Sequence, residues 1–183
     1  MFKNPANLLT LFRIFVIPAL VFSFYVKGAS GHWLGLILFV TAAITDFFDG
    51  YVARRWDLVS PLGRFLDPIA DKLLVATAIV MLVASERIAG MDVLAALVIL
   101  CREILVSGLR EFLAELQVRV PVTKLAKVKT TIQMFALSFL ILNDAAPWGL
   151  PMPLMGTICL WAAAALTLYT GYDYLRAGLK HME

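Results

Sequence analysis

With 183 residues, 61% of them hydrophobic, and a mean hydropathy of +0.85, the chain is too apolar for an ordinary soluble domain, in which about half the residues are apolar. Charged residues amount to 16% and are bunched. The net charge of +3 suits a neighbour of anionic head groups or phosphates, or simply the basic bias of membrane proteins, and no nucleic-acid partner is expected.

Apolar segments recur at 8–26, 33–53, 61–86, 92–113, 127–143 and 153–177, each about the length needed to cross a bilayer as a helix. They are long and continuous rather than alternating with period two, which favours helices over barrel strands. The fold class predicted is therefore an all-α integral membrane protein, a six-transmembrane-helix bundle forming one membrane-embedded domain over 1–183. Breaks at 27–31, 56–60, 86–91, 115–123 and 143–151 carry the Gly, Pro, Ser and charged residues of loops.

The first segment is entered through Asn4-Pro5-Ala6-Asn7, with Pro5 suited to a helix start. It carries Arg13 and runs directly into further spans, so it reads as a retained helix rather than a cleaved signal. The third segment opens at Ser60-Pro61, and Pro68 either kinks it or marks its true start. Cys101 and Cys159 lie in apolar runs and read as buried free thiols rather than a disulfide or metal pair. Trp33, Trp56, Trp148 and Trp161 fall mostly near span ends, as interfacial aromatics do. His32 and His181 fall in a loop and in the tail, without partners at ligand spacing.

Basic residues set the orientation. With the N-terminus on the cytoplasmic side, fourteen Lys and Arg fall inside and only Lys27 and Arg87 outside, a strong positive-inside bias. The bias survives removal of Arg102, which lies deep in its span. Both termini then face the cytoplasm, at an inner membrane of the bacterial type.

The same inner edge carries an acidic comb: Asp46-x-x-Asp49-Gly50-x-x-Ala53-Arg54, eight residues, then Gly63-x-x-x-Asp67-x-x-x-Asp71. At 100° per residue Asp46, Asp49, Gly50 and Ala53 share a face of the second helix, and Gly63, Asp67 and Asp71 share a face of the third. A connection of a few residues makes these helices antiparallel neighbours, so the acidic faces can meet. Four converging carboxylates repel and take up protons unless cations bind. All-oxygen donors suit Mg²⁺ or Mn²⁺, and the lack of His or Cys nearby argues against zinc. Gly50, Ala53 and Gly63 allow close helix packing or a nucleotide against backbone, and Arg54 and Arg64 on the same rim can hold phosphate oxygens. The plainer alternative is a set of solvated interfacial carboxylates paired with Arg54, Arg55, Arg64 and Lys72.

The pattern D-x2-D-G-x2-A-R-x8-G-x3-D-x3-D is matched at every fixed position and resembles the signature of the CDP-alcohol phosphatidyltransferase family. Asn7-Leu8-Leu9-Thr10-Leu11-Phe12-Arg13 with Pro18, Cys101-Arg102-Glu103-Ile104 through Gly108-Leu109-Arg110-Glu111, and Lys127-Val128-Lys129-Thr130-Thr131-Ile132-Gln133 resemble the branch that makes phosphatidylglycerophosphate. The resemblance implies six transmembrane helices, a homodimer and a cytoplasm-facing cavity with two divalent cations (Mg²⁺ or Mn²⁺). It makes Asp46, Asp49, Asp67 and Asp71 metal ligands and Asp71 also the general base. Asp49, Gly50, Ala53, Arg54, Gly63 and Asp67 would bind CDP-diacylglycerol, and Thr10 and Arg13 match the family's N-terminal segment as a second tier. The implied reaction moves the phosphatidyl group from CDP-diacylglycerol to sn-glycerol 3-phosphate and releases CMP.

An anionic acceptor needs cations of its own. Arg102 and Arg110, eight residues apart, share a helix face, and Lys127 and Lys129 begin the next span. These four are the candidate glycerol-phosphate ligands, against a plainer role as ion pairs or snorkelling anchors. They favour a phosphorylated acceptor over serine or choline without separating glycerol phosphate from inositol phosphate. A divalent-cation transporter is the competing class. It would need acidic residues near the midplane of several spans, whereas these crowd one end of one hairpin.

Overall fold

Polar punctuation in the chain becomes helix boundaries to within about four residues. The computed structural model describes residues 5–56, 61–115, 117 and 124–179, with side chains for 10–45, 63, 65–113, 117, 125–147 and 149–176. These residues form α1 (Pro5–Ser23), α2 (Ala29–Trp56), α3 (Pro61–Ala84), α4 (Asp92–Glu115), α5 (Lys124–Leu142) and α6 (Met152–Leu179). Two 3-10 turns, Asn143–Ala145 and Pro147–Gly149, join α5 to α6. Pro5 and Pro61 each open their helix, where a missing N–H costs nothing. Pro68 lies inside α3, which begins seven residues earlier, so Pro68 is not the helix start. Gly28 and Gly90 close the turns after α1 and α3 with φ of +80° and +55°, values that L side chains rarely adopt.

The helices pack as one bundle. α5 and α6 share the most extensive contact, α6 also rests on α4, α1 lies against α2 and α3, and α2 reaches α5. Among the described residues α3 touches α2, α4 and α5 only lightly, which leaves a cleft on each of its flanks. Leu20, Phe39, Leu74, Leu82, Ile99, Leu137, Leu140 and Leu160 fill the interior, one or more from each helix. Ala78, Ala96, Ala136 and Ala163 are fully buried between them, small enough for close helix approach.

The outside of the bundle carries many large apolar side chains. Phe15, Phe22, Ile37, Val80, Ile104, Leu105, Phe135, Ile158 and Leu168 are all exposed, and they come from all six helices. Soluble monomers rarely expose contiguous apolar surface on that scale. Two helical stretches, Leu125–Ala145 and Met152–Arg176, are long and apolar enough to cross a membrane. Thr10–Ser23 and Ala29–Thr45 are apolar but shorter, and charged side chains interrupt α3 and α4. Cys101 and Cys159 are free, as expected, but Cys101 is exposed on this apolar exterior and Cys159 half-buried. The helix periodicity, not the apolar run, decides which way a thiol points.

The end of the bundle remote from the acidic comb is tied by side chains that satisfy helix termini. Arg87, between α3 and α4, donates to the Ile141 carbonyl at 2.6 Å and lies over the Phe24 ring. His32, in the first turn of α2 rather than a loop, bonds the Leu142 carbonyl at 3.1 Å. Both cap carbonyls that the end of α5 leaves without helical partners. Burial lowers the Arg87 pKa from its usual value and the Asp144 carboxylate opposes the shift. Trp161 lies well inside α6, not at a span end, and donates to Asp92 at 2.8 Å, tying the start of α4 to α6.

Candidate active site

Gly63, Asp67 and Asp71 recur every fourth residue along α3, so one stripe of the helix carries both carboxylates. Thr10, fully buried in α1, donates to Asp67 Oδ1 at 2.5 Å. The Arg13 guanidinium, 1% exposed, reaches the same oxygen at 3.4 Å. One turn separates Thr10 from Arg13 on α1, which is why both meet a single carboxylate. The two second-tier residues of the N-terminal segment thus hold Asp67 in place. Both bonds fall on Oδ1, and Oδ2 has no bond among the described residues.

Asp71 and Arg13 line the cleft between α3, α2 and α5, about 560 Å³, whose other walls include Phe39, Ile44, Thr130 and Phe135. A polar end at Asp71 and an apolar wall above it are what an amphiphilic substrate requires.

On the opposite flank of α3 lies a smaller, polar pocket of about 280 Å³, lined by Lys72, Arg102, Glu103, Ser107, Arg110 and Glu111 among others. Arg102 and Arg110 do share a face, as their spacing predicts. Arg102 donates from one nitrogen to Glu103 at 3.2 Å and from another to Thr170 at 3.2 Å, and its guanidinium lies over the Tyr174 ring. Gly171 makes room for that side chain: a Cβ there would sit 3.1 Å from Arg102 Cγ. Arg102 Nε is buried with no partner among the described residues, so the guanidinium retains bonding capacity.

Lys127 and Lys129 separate. Lys127 points outward and is exposed, whereas Lys129 is 2% exposed and ion-paired with Glu103 across the α4–α5 boundary. Two residues along a helix is a 200° turn, so a Lys-x-Lys pair cannot face one pocket from one helix. Glu103, an acidic residue deep in an apolar segment where charges are rarely idle, stands out in the sequence beside Arg102 but is not among the candidate ligands; the structure places it, with Lys72, in the lining of this pocket.

Asp46, Asp49, Gly50, Ala53 and Arg54 are on the α2 backbone, but their side chains, and with them the meeting of the two acidic faces, lie outside the described residues. No group of three or more His, Cys, Asp or Glu forms among those that are described. The part of the donor set that is described fits a hard divalent cation: carboxylate oxygens one turn apart, one of them with an unbonded Oδ2.

A family model for CDP-alcohol phosphatidyltransferases matches residues 3–169. A protein of Rickettsia felis is 51% identical over 179 residues, 98% of this chain and 97% of its own length. One of Salmonella choleraesuis is 43% identical over 176 residues, 95% and 94% of the two chains. One of Cereibacter sphaeroides is 37% identical over 212 aligned positions, 97% and 96%. All three are CDP-diacylglycerol–glycerol-3-phosphate 3-phosphatidyltransferases.

Proposed function

The chain belongs to the CDP-alcohol phosphatidyltransferase family, and on that footing we propose that it transfers the phosphatidyl group of CDP-diacylglycerol to sn-glycerol 3-phosphate, giving phosphatidylglycerophosphate and CMP. The observation that carries the reading is the likeness over nearly the whole chain to relatives named for this reaction. The two clefts flanking α3 suit it. One offers an apolar wall ending at Asp71 for the lipid nucleotide, the other a cation-rich pocket for an acceptor phosphate.

Asp71 takes the proton of the acceptor's 1-hydroxyl on a carboxylate oxygen as that hydroxyl attacks the β-phosphorus, and CMP departs. Asp46, Asp49, Asp67 and Asp71 would hold two Mg²⁺ or Mn²⁺ ions, which when bound neutralise diphosphate charge and stabilise the leaving group. Thr10 and Arg13 keep Asp67 oriented for that task. Asp49, Gly50, Ala53, Arg54, Gly63 and Asp67 bind the nucleotide portion, while Arg102 and Arg110, with Lys129 from α5, hold the acceptor phosphate; Lys127, which points outward, is left out of that set. The enzyme works as one catalytic unit of six membrane-crossing helices, paired as a homodimer, with the site open to the cytoplasmic face of the membrane.

The test is transfer of radiolabelled glycerol 3-phosphate into lipid by purified protein in detergent with CDP-diacylglycerol, with and without Mg²⁺ or Mn²⁺. Label in the lipid fraction that depends on the cation and vanishes with chelator is expected. Incorporation of serine or inositol phosphate in place of glycerol phosphate would sink the acceptor while leaving the reaction class intact.

A further inference from the structure

We propose that Glu103 is a positioning residue of the acceptor pocket, holding Arg102 and Lys129 in the places from which they meet the acceptor's phosphate; this rests on the acceptor reading above. The physical case begins with burial. An ammonium as enclosed as Lys129, 2% exposed, stays charged in an apolar bundle only with a carboxylate beside it. Glu103 supplies that carboxylate from the neighbouring helix, and the same oxygen, Oε1, receives both Lys129 Nζ and Arg102 at 3.2 Å. One carboxylate therefore sets two cations that α4 and α5 would otherwise leave to repel each other.

Its location ties the pair to the chemistry. Glu103 lines the polar pocket with Lys72, Arg102, Ser107 and Arg110, and it also borders the adjoining apolar groove between α3 and α4. Lys72 lies near enough to act on the Glu103 charge, and Asp71 near enough to act on Lys129. The Lys129–Glu103 pair thus links α5 to the acceptor pocket that Glu103 lines. Lys72, Arg102 and Arg110 outnumber Glu103 and Glu111 around that pocket, so a phosphate monoester, close to doubly charged at neutral pH, finds net positive charge there, and Lys129 offsets the Glu103 charge from behind. Glu103 fixes where that charge stands, and the phosphate is met without reorganising two long side chains.

The test compares Glu103→Gln, Glu103→Asp and the double variant Glu103→Gln with Lys129→Met, each purified in detergent. For E103Q the KM for glycerol 3-phosphate should rise about tenfold or more, the loss of a charge-assisted contact, while the KM for CDP-diacylglycerol stays within about twofold. E103D should recover part of the loss. Removing both charges relieves the buried ion, so the double variant should regain the wild-type melting temperature yet keep the raised KM. Calorimetric titration with inorganic phosphate, without CDP-diacylglycerol, should show weaker binding to E103Q than to wild type.

A purely structural Glu103 gives the opposite pattern: E103Q loses melting temperature and active fraction with both KM values unchanged, or the double variant recovers stability and KM together. Either result overturns the proposal. If wild type accepts inositol phosphate instead, the same split measured on that acceptor supports Glu103 and rejects only the acceptor assignment. Equal phosphate binding by wild type and E103Q overturns it whatever the acceptor.

Discussion

Thr10 and Asp67 stand 57 residues apart in the chain, yet their hydrogen bond, 2.5 Å long, fixes one oxygen of a carboxylate in the acidic stripe. Thr10→Val keeps the shape and removes the donor. Its expected effect is a fall in kcat of about tenfold, since an oriented carboxylate loses one of its two holds, with a melting temperature near wild type. A rate within a factor of about two of wild type would mean that Arg13 alone orients Asp67. Asp71→Asn is expected to lower turnover by about 10²–10⁴-fold or more, the range for losing a general base, and to retain CDP-diacylglycerol binding in an equilibrium assay. Near-normal turnover would remove Asp71 from the proton transfer. The residues doing this work differ in how plainly the sequence shows them. Asp67 and Asp71 announce themselves by spacing within one helix. The bond from Thr10 and the pairing of Glu103 with Lys129 depend on which helices become neighbours, and no local pattern carries that.

Helix α6 meets α5 along a seam in which Gly156 packs directly against Leu140. A Cβ at Gly156 would lie 2.7 Å from Leu140 Cγ and 3.2 Å from the Leu140 backbone nitrogen, so a larger residue forces the Leu140 side chain, and to a lesser degree its backbone, to give way. Gly156→Val is expected to cost about 1–3 kcal/mol, as overpacking does, read as a lowered melting temperature in detergent. Gly108 in α4 is the control. Nothing lies within 4 Å of a Cβ there, and Gly108→Ala should be neutral or stabilise by up to about 1 kcal/mol through helix propensity. A Gly156 variant as stable as the Gly108 one would show that the seam is loose. The boundaries of these helices were legible because apolar runs and Gly, Pro or charged breaks alternate cleanly along the chain. Their faces were less so: Cys101 and His32 each sit where helical phase, not local composition, puts them, and the outward turn of Lys127 beside the inward Lys129 follows from the same phase.

At the scale of the whole molecule, charge distribution argues for one orientation. The far end of the bundle holds Lys27 and Arg87, and Arg87 is spent on capping α5, while the other fourteen Lys and Arg bias the opposite end toward the cytoplasm. On the proposed function, substrates bearing phosphates and a nucleotide would meet the protein from that side, where the acidic stripe and the polar pocket would then lie. Single cysteines at Tyr25 and Met91, both exposed near the far end, should react with a membrane-impermeant maleimide added to intact cells, in a background where Cys101 and Cys159 are replaced. A cysteine at Arg110, exposed at the pocket rim, should react only after the membrane is opened. Labelling of position 110 but not of 25 or 91 in intact cells would invert the topology and put the pocket on the side away from its soluble substrate. Labelling of all three would mean that these positions do not lie on opposite sides of a barrier. The six-helix reading makes a sharper demand: α1 and α2 are joined near Tyr25, α3 and α4 near Met91, so both sites must appear on the same face, which requires the charged helices α3 and α4 to cross just as α1 and α2 do. Their charges can be accommodated because Glu103 and Arg102 are turned into the bundle and paired there and the partly exposed Asp67 is paired with the buried Arg13 of α1, while Val80, Ile104 and Leu105 would be left for the lipid.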